Sequence, residues 1–345
     1  MRRIYIRAAE QISLQQPLSE AWMESPVRVD APWAPAQDPD FRAWLSAGES
    51  RRLGRILKRA LVSLLTIVRK TGVEHPDAIC VGTGLGCMVN TERILETLCN
   101  EGESMVSPTH FMQSTHNTIA SLLAIHTRSH GYNITYSHKD LSFDLALLDA
   151  WLQFRQGRIH TAVVGGYDEL TASYYTLLRR IGYLGAEGEG PGAEAAATLL
   201  VTDDRSDALC ELAGLRILYR PGDGELHEAL DRLLDEAGVT RDALSGVVTG
   251  VNGHRANDAF YERFTAQLLP GVPTLHYKHL FGTSYTAPAY APYVAAHCLH
   301  RGVIPPTLVC GTTPLRDGAP QTLLLVNQRD GKQWSLQLLR SVCGN

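Results

Sequence analysis

No stretch of this chain approaches the ~20 apolar residues that a membrane-crossing helix needs. The longest apolar runs, such as Leu61 to Leu65, are far shorter, and Met1-Arg2-Arg3 is not followed by a signal-type apolar core. No membrane contact is therefore expected, and a cytoplasmic location is. A basic excess is also missing: 32 lysines and arginines face 36 aspartates and glutamates, giving a net charge of −4 and no stripe suited to nucleic acid. The seven cysteines lack C-x-x-C spacing, which fits reduced thiols better than a disulfide framework. Gly82, Gly84 and Gly86 follow a strand but lack a third glycine at dinucleotide-loop spacing. His276, His279, His297 and His300 come in two pairs three apart with no accompanying carboxylate cluster. Neither a cofactor nor a metal is expected.

What remains is an ordinary globular composition, 44% hydrophobic and 20% charged over 345 residues, enough for one long domain or two fused halves. Apolar β-rich runs occur at residues 3–7, 78–81, 134–136, 162–164, 197–201, 246–249 and 322–326. Helical periodicity fills much of the space between them, most clearly at 51–70, 91–100, 114–129, 143–155, 225–237 and 257–268. That alternation predicts a layered α/β architecture. Residues 15–41, rich in Pro, Ala and Trp, read as irregular surface structure. Arg51, Arg52, Arg55, Lys58 and Arg59 form a basic helix face, either a solvated surface or a dock for an acidic partner.

Gly131-Tyr132-Asn133-Ile134-Thr135-Tyr136 followed by Ser137-His138-Lys139-Asp140-Leu141-Ser142-Phe143-Asp144 resembles the nucleophile strand and helix start of β-ketoacyl synthases. Counting forward from His130-Gly131-Tyr132, and backward from Gly165-Gly166-Tyr167-Asp168-Glu169, places Asp140 where that family has its cysteine. Val251-Asn252-Gly253-His254 resembles the first histidine motif with His254 in place. In Lys278-His279-Leu280-Phe281-Gly282-Thr283 the lysine is kept as Lys278, but Thr283 stands where the family has its second histidine. The Phe-containing gating loop is not recognisable, and Val309 to Leu315 is read as occupying its region. A carboxylate cannot replace a thiolate in acyl transfer without forming a mixed anhydride. Asp140 then reads as an N-cap or charged filler at the start of the following helix. Among the cysteines only Cys87, after the glycine turn, is a tempting nucleophile.

The resemblance implies a thiolase-like fold of two similar βαβαβ halves in an αβαβα layering, divided into residues 1–205 and 206–345. It is closest to a short branch associated with aryl polyene and flexirubin-type pigments, through Asp38-Pro39-Asp40, Gly82-Thr83-Gly84 and the run from Pro108 to Thr118. In such pathways a cysteine-free homologue, the chain length factor of a type II polyketide synthase, pairs with an active cysteine-containing ketosynthase. The factor closes that partner's acyl tunnel, and an acyl carrier protein visits transiently. Phe111, Met112 and Gln113 are the expected tunnel end. Ser114, Thr115, His116, Asn117 and Thr118 complete the expected interface, although Phe111 and Met112 read equally well as plain interface core. Two alternatives stay open: a residual malonyl-thioester decarboxylase or acyltransferase using His254 with Thr283, and a homodimeric acyl-binding scaffold.

Overall fold

A computed structural model describes residues 2–184, 190–311 and 313–342. Its strands are β1 (Tyr5–Ile12), β2 (Trp33–Ala34), β3 (Ala78–Gly86), β4 (Tyr132–Tyr136), β5 (Thr161–Asp168), β6 (Gly192–Ala193) and β7 (Ala195–Thr202). They continue with β8 (Cys210–Tyr219), β9 (Gly246–Thr249), β10 (Thr274–His276), β11 (Val309–Cys310), β12 (Thr322–Arg329) and β13 (Gln333–Arg340). Eleven form one sheet in the order β11-β10-β9-β12-β13-β8-β1-β7-β5-β3-β4, while β2 pairs with β6.

That order contains the same pattern twice. The first set runs β4-β3-β5-β7-β1 and the second β10-β9-β12-β13-β8. In the first, β3 is parallel to β4 and β5, and the steps to β7 and β1 are antiparallel. In the second, β9 is parallel to β10 and β12, and the steps to β13 and β8 are antiparallel. The sets meet where Tyr5 pairs with Glu211 and Ile6 with Cys210. The repetition is one of topology, which shared residue identities do not reveal.

Strand alternation shows the layers. Ala78, Cys80, Ala162, Val164, Leu199, Val201, Leu323 and Leu325 enter a central core, whereas Ile79, Val81, Val163 and Leu200 pack outward against one outer layer and Leu324 and Val326 against the other. Helices 142–155 and 290–301 fill the middle layer. Helices 55–71 and 118–127 cover the first half-sheet, and helices 223–237 and 255–268 cover the second. The predicted α/β layering is thus observed.

Several predicted elements differ in extent. The helix expected over 51–70 is two helices, Ala47–Arg52 and Arg55–Thr71, because Leu53 is extended and Gly54 caps the second. The expected helix 114–129 is Thr118–Thr127, preceded by the separate helix Pro108–Ser114. Residues 15–41 are mostly irregular as expected, apart from the two-residue strand β2 and one short turn of helix, but are not mere surface. Trp22 is buried and donates from Nε1 to the Tyr293 hydroxyl at 3.0 Å, and Gln15 donates to Leu280 O. This strap joins the two halves.

Candidate functional site

Between β4 and helix 142–155 the chain makes a tight turn over Lys139–Leu141. The Ser142 hydroxyl fastens it, accepting from His138 N at 2.8 Å and donating to Lys139 O at 2.7 Å. Gly82 of β3 lies directly beneath, where a Cβ would stand 2.5 Å from the Ser142 backbone, so only glycine lets the helix start press onto the sheet. The turn drives Asp140 inward. It does not cap the helix, as one reading of the sequence had it: the N-cap is Leu141, without a side-chain cap bond.

Asp140 is only 5% exposed, and its Oδ1 accepts a hydrogen bond from the Tyr183 hydroxyl at 2.7 Å. The Arg329 guanidinium lies 4.3 Å over the Tyr183 ring, and the Tyr285 ring packs 4.4 Å from it. Burial pushes the Asp140 carboxyl above its ordinary range while Arg329, Lys278 and Tyr183 pull it back. Burial pushes the Lys278 ammonium the other way, downward, against the attraction of Asp140. One helical turn on, Asp144 accepts from Asn327 Nδ2 and from Gln337 Nε2, both at 2.8 Å, and burial raises it to about 6. Asn327 also donates to Asp140 O at 2.9 Å.

The structure brings the remaining residues of the predicted set to the rim of this cluster. His254 is the N-cap of helix 255–268. Its Nδ1 accepts from Asn257 N at 3.3 Å, and its Nε2 lies 3.1 Å from Gly182 O, the neighbour of Tyr183. Both ring nitrogens are engaged by backbone. Thr283 is buried, its hydroxyl accepting from Asn252 Nδ2 at 3.2 Å. Asp258 accepts from Asn252 N and Gly253 N and holds the histidine loop in place. A cleft of about 830 Å³ beside the cluster is lined by Asn252, Gly253, His276, His279, Arg179 and Cys310, and not by Asp140, Tyr183, Lys278 or Thr283.

Other sequence readings are corrected by the geometry. Val309–Cys310 forms a sheet edge, and Cys310 lines the cleft; Thr312 lies outside the described residues. The segment that approaches Asp140 is instead the end of β12, through Arg329. Sequence reasoning missed Tyr183 and Arg329, because neither belongs to a motif. The Gly84 and Leu85 amides, which a dinucleotide loop would offer to phosphate, are taken by Asp168 Oδ1 at 2.8 and 2.7 Å. Cys87 is buried with its thiol pushed far up by burial, so it is not an activated nucleophile. Cys343 lies outside the described residues. Arg59 is not solvated: it is fully buried, ion-paired to Asp38 at 2.5 Å and Glu194 at 2.8 Å, and Arg55 pairs with Asp38 too.

In the expected tunnel segment, Phe111 and Met112 are 60% and 69% exposed on helix Pro108–Ser114. Gln113 differs. Its Nε2 donates to Arg52 O at 2.6 Å and its Oε1 accepts from Gly54 N at 3.0 Å, so it ties the helix to the interruption between helices 47–52 and 55–71. Ser114 donates to Phe111 O, Thr115 pairs with Thr118, and Thr118 donates to Met112 O, locking the turn between the two helices. His116 and Asn117 are exposed, and Asn117 makes no side-chain cap bond.

Residues 9–213 match the family described as the β-ketoacyl synthase N-terminal domain, and the chain belongs to that family. No curated protein matches the chain. Among solved structures it is similar to the ishigamide ketosynthase/chain length factor, with a TM-score of 0.79 at 15% identity, covering 99% of each chain. It is also similar to a β-ketoacyl synthase from Burkholderia phymatum STM815, with a TM-score of 0.79 at 15% identity over 99% of this chain and 100% of that one. A third is the ketosynthase ApeO in complex with its chain length factor ApeC from Xenorhabdus doucetiae, with a TM-score of 0.79 at 16% identity over 99% and 98%. The fold is therefore that of the thiolase-like ketosynthases, as the resemblance implied. Among the described residues no helix is long and apolar enough to cross a membrane.

Proposed function

We propose that this chain is a noncatalytic, ketosynthase-like chain length factor. It pairs in the cytoplasm with a cysteine-containing ketosynthase, shapes that partner's acyl tunnel during polyketide elongation, and is visited transiently by an acyl carrier protein. The observation that carries the reading is Asp140, a buried carboxylate bonded to Tyr183 at the position the family's motif gives to its nucleophilic cysteine. An aryl polyene pathway is the context favoured by the residues from Pro108 to Thr118.

The partner role is supported by surface the chain leaves uncovered. β4 is one of the two edge strands of the sheet. The helices from 88 to 127 beside it expose Leu95, Met105, Phe111, Met112 and Ile125. Open edges and exposed apolar side chains are costs a stable monomer avoids. Phe111 and Met112 are the side chains we assign to the partner's tunnel end, with Ser114 to Thr118 forming the surrounding interface and Gln113 positioning the helix. The boundary between the halves is placed at 205/206, in the connection from β7 to β8.

Co-expression with a cysteine-containing ketosynthase from the same source, followed by native mass analysis, tests the pairing. A one-to-one complex is expected. A stable homodimer that ignores the synthase would replace this reading with the scaffold alternative. The decarboxylase alternative has no geometric support, since both His254 nitrogens are held by backbone.

A further inference from the structure

The Asp140 cluster is assembled from both halves. Asp140, Asp144 and Tyr183 come from the first, and Lys278, Asn327, Arg329 and Gln337 from the second. Each oxygen of Asp144 is bonded to an amide across the seam, and the Asp140 backbone carbonyl is held by the same Asn327. The Tyr183 hydroxyl is bonded to Asp140 Oδ1, the Tyr183 ring is contacted by the Arg329 guanidinium and the Tyr285 ring, and Asp140 and Tyr183 are only 5% and 6% exposed. The neighbouring cleft does not reach any of them.

We propose that Tyr183 and Arg329 close this position to acyl thioesters, so that it serves as a sealed polar lock between the halves rather than as an empty reaction centre lacking only its thiol. Restoring a cysteine at Asp140 would then not restore a reactive site. The inference concerns the chain by itself and stands or falls independently of whether a synthase pairs with it.

The chain carries its own references for a labelling test. Cys99 is exposed, whereas Cys80, Cys87, Cys210 and Cys298 are buried. In the Asp140→Cys variant, treated with iodoacetamide and read residue by residue by mass spectrometry, the new thiol is expected to react about 100-fold more slowly than Cys99, limited by local opening. Adding Tyr183→Ala should recover about tenfold or more of that rate by vacating the approach. Labelling of the new thiol as fast as Cys99, with Cys80 and Cys298 still protected, overturns the proposal. If Cys80 and Cys298 also react, the variant has unfolded and the unsubstituted chain decides. Carbodiimide coupling to its carboxyls should then spare Asp140 while modifying Asp207, whose side chain is 85% exposed. Equal modification of the two overturns the proposal.

Discussion

β4 and β11 stand at opposite ends of one sheet, and the chain finishes the two ends differently although the halves behind them share a strand order. β4 is five residues long and begins with exposed Tyr132 and Asn133, whereas β11 spans only two residues. Of the large apolar side chains left exposed among the described residues, only Tyr219 and Val303 belong to the second half. The short edge strand is a device that discourages pairing. The second half is finished as a free surface, and the first, with β4 and the helices from 88 to 127, is left as an unfinished one.

Stability should differ between the halves in the same sense. Arg59 in the first half is fully buried between Asp38 and Glu194, so Arg59→Ala should cost about 3–5 kcal/mol by removing the cation that faces buried Glu194, Asp38 keeping Arg55. Arg232→Ala in the second half removes a solvent-exposed pair with Glu228 and should cost less than about 0.5 kcal/mol. Denaturant titrations of the two variants check the contrast.

At the seam, Asp144 predicts a pH dependence. Its folded value of about 6 lies above the ordinary carboxyl value of 3.8, so the folded state holds its proton more tightly. The contribution is fully present below about pH 4 and is lost as pH rises through 6, a swing of up to about 3 kcal/mol. Asp144→Asn should flatten the stability profile across that window, as seen in unfolding midpoints between pH 4 and 7.

At the surface the expected effect falls on pairing and not on folding. Phe111→Asp with Met112→Asp should weaken pairing with the synthase about 100-fold while leaving the unfolding midpoint unchanged, because both side chains are exposed in the isolated chain. Val303→Asp, on the finished half, should leave affinity untouched. Calorimetric binding of the three proteins compares them.

The sequence predicted the layered fold because most strands and outer helices keep clean periodicities, as in 246–249 and 257–268. Helix Tyr290–Arg301 escaped detection for a physical reason. It is buried on nearly every side between the two half-sheets and so shows no amphipathic period. β13 escaped because its inward residues Ser335 and Gln337 are polar, facing Asp144 while Trp334, Leu336 and Leu338 face the outer core. Asp140, His254, Lys278 and Thr283 were singled out by counting along motifs. Tyr183 and Arg329 were invisible to that counting, since what matters about them is a contact across the seam. Gln113 was assigned to the tunnel by its neighbours in sequence, and its hydrogen bonds to Arg52 and Gly54 make it a positioning residue.

The most direct test of the account is malonyl-dependent elongation measured for this chain, for the partner synthase and for their mixture. The account predicts an inert chain and elongation that requires both proteins. Carbon dioxide release or elongation by this chain alone, abolished by His254→Ala, would contradict it.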